Sequence, residues 1–94
     1  MISKKKAKQI GITHCAEAMG IEFVREHAGS SSTGFSDNND SVFCFLGIND
    51  KESSIDESQN LTLTNRDDAF PFRASCDVML RNGEIRNFRY IHPD

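Results

Sequence analysis

The sequence predicts an α+β domain, with one N-terminal amphipathic helix packed on an antiparallel sheet of about four strands and a β-hairpin at the C-terminal end. Three observations carry this. Residues 4–28 hold apolar side chains at helical spacing, Val42–Ile48 is a short run apolar on both faces, and strand-like alternation flanks Asn82-Gly83. A helix followed by strands, with no repeated βαβ order, belongs to the two-layer α+β class.

In the helix, Ile12, Cys15, Ala16, Met19 and Phe23 recur at intervals of three and four and line one face, while Glu17, Glu22 and Arg25 turn toward water. Ser3 is the candidate N-cap, although Lys4, Lys5 and Lys6 sit badly against a positive helix N-terminus, which keeps Thr13 as a later alternative. The expected end is Gly29, with Arg25 and His27 suited to the negative terminus. Gly20 followed by Ile21 offers an earlier stop, with Ile21–Glu26 then a strand.

Residues 30–40 and 49–60 are expected to be polar loops, since the stretches GSSSTGFSDNND and NDKESSIDESQN are rich in side chains that compete with backbone pairing. Between them, Val42–Ile48 reads as a strand covered on both sides or central in its sheet, with Gly47 marking a bulge or a close contact. Leu61–Thr64 alternates like a short half-buried strand. Pro71 belongs at a strand's beginning or on an edge, because it cannot donate to a ladder.

The hairpin's register follows from which loop segregates its side chains. A two-residue loop at Asn82-Gly83 mixes polar and apolar residues on both faces. A three-residue loop, Arg81-Asn82-Gly83, opposes Cys76 to Phe88 and Ala74 to Tyr90. Phe72, Ala74, Cys76, Val78, Leu80, Phe88 and Tyr90 then share one face, and Arg73, Ser75, Asp77, Asn87 and Arg89 the other, diluted by Met79, Ile85 and Ile91. The three-residue loop is therefore expected.

Ninety-four residues fit a single domain spanning 1–94. With 37% hydrophobic and 27% charged residues the chain is expected to fold as a soluble domain. A net charge of −3 argues against a nucleic-acid partner, and no apolar run is long enough for a membrane span. The first fifteen residues fail as an export signal, because Lys8, Gln9, Thr13 and His14 interrupt the apolar run. Cys15, Cys44 and Cys76 match no disulfide framework, so reduced thiols and a cytoplasmic location are expected.

The chain carries few motifs with chemistry. Asp37, Asn39 and Ser41 alternate as oxygen donors, but Val42 and Ile48 stand where a calcium loop needs glycine and glutamate. His14 and Cys15 are consecutive on a helix and point about 100° apart, which does not make a nucleophile and base pair. The cysteines read as small buried hydrophobes, and no short-spaced ligand pair suggests zinc. Catalytic, metal and cofactor sites are expected to be none.

Residues 30–68 are acidic, with two Lys/Arg against eight Asp/Glu, which serves solubility or steers a basic partner. The candidate partner surface is the polar face of the hairpin, Arg73, Asp77, Asn87 and Arg89, beside Met79 and Ile91. The expected function is a small protein-binding module, an adaptor or inhibitor. The alternatives are a ligand-binding domain or enzyme with a pocket between helix and sheet, and a homodimer built through a sheet edge or the hairpin's outer face.

Overall fold

A helix caps itself at Ser3, whose Oγ accepts the Lys6 backbone N–H at 3.1 Å, and runs from Lys4–Met19 as α1. The computed structural model describes residues 1–50 and 70–93. The expected strand Leu61–Thr64 and most of the expected 49–60 loop lie outside them. The order after α1 is α2 (Ile21–Glu26), a 3₁₀ turn (Ala28–Ser30), β1 (Ser31–Asp37), β2 (Ser41–Ile48), β3 (Phe72–Met79) and β4 (Ile85–Ile91). The four strands form one antiparallel sheet in the order β1-β2-β3-β4, with α1 across one face.

The expected helix to Gly29 is broken at Gly20, whose φ of 106° and ψ of 115° end α1 and begin α2 within one residue. The Gly20 N–H donates to Ala16 O, and Gly20 O accepts from Val24 N–H, so both helices are bonded at the break. The alternative of a strand after Gly20 is also corrected, since Ile21–Glu26 is helical. The bend brings the Phe23 ring to 4.7 Å from Phe72 and leaves Arg25 exposed.

The buried line on α1 is Ala7, Gly11, Cys15 and Met19, at steps of four, with Ile12, Ala16 and Phe23 packed at its margin. Small residues at the first three positions let the helix backbone approach the sheet closely. An added Cβ at Gly11 would overlap Cys44 Sγ and stand 2.8 Å from Cys44 Cβ and 3.1 Å from Val78 Cγ2.

Ser31–Asp37, expected as loop, is a strand. Its neighbour decides this. The antiparallel ladder to β2 runs without a break from Ser31↔Ile48 to Asp37↔Val42 and bonds backbone atoms that serine and glycine carry as well as valine does. The chain reverses at Asn39-Asp40, where Asn38 N–H donates to Ser41 O at 2.9 Å. β2 is central, as its two-sided apolar pattern implied. Val42, Cys44, Leu46 and Ile48 are buried under α1, and Phe43 and Phe45 are half-buried on the opposite, outer face. Gly47 is a close contact, because an added Cβ would lie 2.6 Å from Phe70 Cγ.

The hairpin corrects the expected loop and keeps most of the expected faces. Met79 N–H donates to Glu84 O at 2.8 Å, and Gly83 N–H to Met79 O at 2.7 Å, so Leu80 to Gly83 all lie in the loop. The pairs nearest it, Val78↔Ile85 and Asp77↔Arg86, are one residue out of the expected register. A bulge between Ser75 and Asp77 on β3, with Asn87 at φ 55° on β4, takes up the difference. Beyond it Ser75↔Arg89 and Ala74↔Tyr90 pair as expected. Asparagine tolerates left-handed φ better than most residues, which suits it to this position. The shift also turns Ile85 to the helix side opposite Val78, removing one apolar residue from the outer face.

Candidate functional site

The two faces of the sheet offer different chemistry. Under α1 the three thiols meet. Cys44 and Cys76 are Cα partners across β2 and β3, Cys15 comes from the helix above them, and all three are free and fully buried. Cys76 is close enough to act on the titration of both Cys15 and Cys44. The S–H contacts to the backbone are long and weak, from Cys44 to Ala7 O at 4.0 Å and Val42 O at 3.9 Å, and from Cys76 to Gly11 O at 3.8 Å.

Burial, followed by the neighbouring Cys76, pushes the Cys44 thiol up to about 11. The hydrogen bond with Cys76 raises Cys15 first, and burial adds to it. The same bond pulls Cys76 down, against the desolvation that opposes any thiolate there. All three side chains are fully buried, so the trio packs as small core volume with no surface offered to a reagent. His14 leaves this cluster altogether, its ring meeting Phe88 edge-on at 4.7 Å. Among the described residues no group of His, Cys, Asp and Glu is arranged to hold a metal ion, and no helix is long and apolar enough to cross a membrane.

Among the described residues, no helix or strand covers the outer face of β2, β3 and β4. Phe43, Phe45, Arg73, Ser75, Arg89 and Ile91 line a shallow hollow of about 190 Å³. Of the four residues singled out by alternation, Arg73 and Arg89 meet in this hollow. Arg73 is held in place by donating from Nη1 to Phe70 O at 3.2 Å. Asp77 and Asn87 lie nearer the turn and bond each other, Asn87 Nδ2 donating to Asp77 Oδ2 at 2.7 Å. Arg86, the Cα partner of Asp77, pairs instead with Glu84 through Nε and Nη2, each at 3.0 Å. Among the described residues, the hollow joins two arginines and two phenylalanines.

Sequence reasoning missed Phe43 and Phe45. The run VFCFLGI is apolar at every position, so alternation cannot separate its two faces. The available signal is size, since the larger rings occupy every second position between smaller side chains. A second, wider groove of about 530 Å³ runs between α1 and β4, lined by Lys6, Gln9, Ile10, His14, Glu17 and Ile85 among others. It is the nearest equivalent of the expected pocket between helix and sheet, and the thiols lie sealed beneath the helix rather than in it. Compared with known proteins, the chain matches no family model, no curated protein and no solved structure.

Proposed function

We propose that this chain is a small cytosolic protein-binding module, an adaptor or inhibitor, which receives a partner on the outer face of its sheet and has no catalytic machinery. The observation that carries it is the composition of the hollow. Aromatic rings and arginine are the residue types that anchor protein interfaces, because they bury large area with few rotatable bonds and offer directional donors. Here Phe43, Phe45, Arg73 and Arg89 supply both in one concavity of a chain whose net charge is −3. A partner that presents a carboxylate to Arg89 beside an apolar side chain fits this face. Three unpaired thiols suit a reducing compartment.

Capture from a lysate of the source cell tests this with three baits. Wild type and Arg86→Glu, whose arginine lies outside the hollow, retain the same partner. Arg89→Glu loses at least about tenfold in affinity for it, and high salt weakens the wild-type complex. No captured partner, or one held equally by Arg89→Glu, counts against the proposal.

A further inference from the structure

The two edges of the sheet are built differently. β4 is blunted by the bulge at Asn87 and carries Arg86 and Arg89, which are devices that discourage a further strand. β1 has no bulge, and its one charge is Asp37 at the end of the strand. Its residues SSTGFSD include no proline, lysine or arginine, and its register with β2 is uninterrupted. The flanking bonds Asn38 N–H to Ser41 O and Asn49 N–H to Ser30 O set the phase of the ladder. Ser32, Gly34 and Ser36 therefore bond to β2, and the backbone N–H and C=O of Thr33, Phe35 and Asp37 point away from the sheet. Thr33, Phe35 and Asp37 are exposed, and among the described residues no strand pairs with that side of β1.

We infer that β1 pairs antiparallel with β1 of a second copy of this chain about a two-fold axis at Gly34, joining two sheets edge to edge. This stands independently of the outer-face reading. Centred on Gly34, Thr33 faces Phe35 of the second copy, and each exchanges both backbone bonds. Asp37 faces Ser31 of the second copy and donates its N–H to that serine's carbonyl. Gly34 opposes itself at a pair without ladder bonds, where Cα atoms approach to about 4.5 Å, so the residue on the axis brings no side chain into the closest contact.

Charge also fits a second copy. The one charge on the strand, Asp37, has Lys4 Nζ at 3.6 Å, and the register never opposes two like charges. With β4 blunted, the association closes at two copies instead of extending into a filament. An interface of one short strand is small, so the dimer dissociates on dilution.

Sedimentation equilibrium up to about 1 mM shows a monomer–dimer equilibrium for wild type. Thr33→Pro removes an outward N–H without touching the β1–β2 ladder, and Thr33→Lys adds an edge charge. Either variant that keeps the wild-type circular dichroism and melting point is monomeric over the same range. Under oxidation Gly34→Cys becomes a covalent dimer, since its added Cβ meets only an ordinary contact, 3.8 Å from Phe45 Cβ. Ser36→Cys does not, because each Ser36 faces Ser32 of the second copy. A wild-type monomer throughout, a folded Thr33 variant that still dimerises, or equal cross-linking of Gly34→Cys and Ser36→Cys overturns the inference.

Discussion

Gly11→Ala destabilises the protein by roughly 1–3 kcal/mol, a fall in melting temperature of about 5–20 °C for a domain of this size. The sign is the informative part. Glycine inside a helix costs up to about 1 kcal/mol relative to alanine, so on propensity alone the substitution stabilises. Here the new methyl group enters the closest part of the helix–sheet contact, overlapping Cys44 Sγ and pressing on Cys44 Cβ and Val78 Cγ2. Cys44 and Val78 are fully buried and have nowhere to retreat. Adding Cys44→Ala removes the sulfur and leaves the Cβ contact at 2.8 Å, so the double variant recovers part of the loss. A thermal-melt double-mutant cycle therefore gives a coupling of about 1 kcal/mol or more between the two positions. Gly29→Ala is the control, with nothing within 4 Å of its added Cβ. A higher melting point for Gly11→Ala places Gly11 away from the sheet and contradicts the packing.

Gly20→Ala lowers stability by a similar amount, roughly 1–3 kcal/mol, for a different reason. The nearest atom to its added Cβ is Phe23 Cβ at 3.8 Å, so there is no steric overlap with the rest of the fold. The cost lies in the backbone, because φ of 106° is a conformation that L-residues rarely adopt. Relaxing it toward negative φ carries α2 onward from α1 and draws Phe23 away from Phe72, now 4.7 Å apart ring to ring. Thermal melts give the loss of stability, and weakened contacts between the two rings in nuclear Overhauser spectra give its structural cause.

These two glycines mark where the sequence was and was not legible. The apolar stripe through Cys15, Met19 and Phe23 could be read because periodicity records large side chains. The line that sets the distance between helix and sheet, Ala7-Gly11-Cys15, is made of residues whose contribution is their smallness, and no hydrophobic pattern reveals that. β1 was missed for a related reason. Its strand state comes from the backbone ladder offered by β2, which a reading of side chains alone does not capture.

In the hairpin the segregation of faces was legible from Ala74, Cys76 and Tyr90, and the loop length was not, because an extra loop residue is absorbed at Asn87. Ile85 shows the consequence. Set on the outer face by the three-residue loop, it lies on the helix side. At the candidate site, Arg73 and Arg89 could be found from alternation. Phe43 and Phe45 could not, since the strand they belong to is apolar on both sides.

The sheet has one face sealed by helix and thiols and, among the described residues, one face left uncovered around Ser75. Thiol titration of the Ser75→Cys variant under native conditions tests it in one measurement, because the variant places a reactive group beside Arg89 while Cys15, Cys44 and Cys76 stay in place. One thiol reacts promptly and three react only on unfolding. No prompt reaction means that the outer face is closed, and more than one prompt thiol means that the helix does not seal the other; either result overturns this division of the two faces.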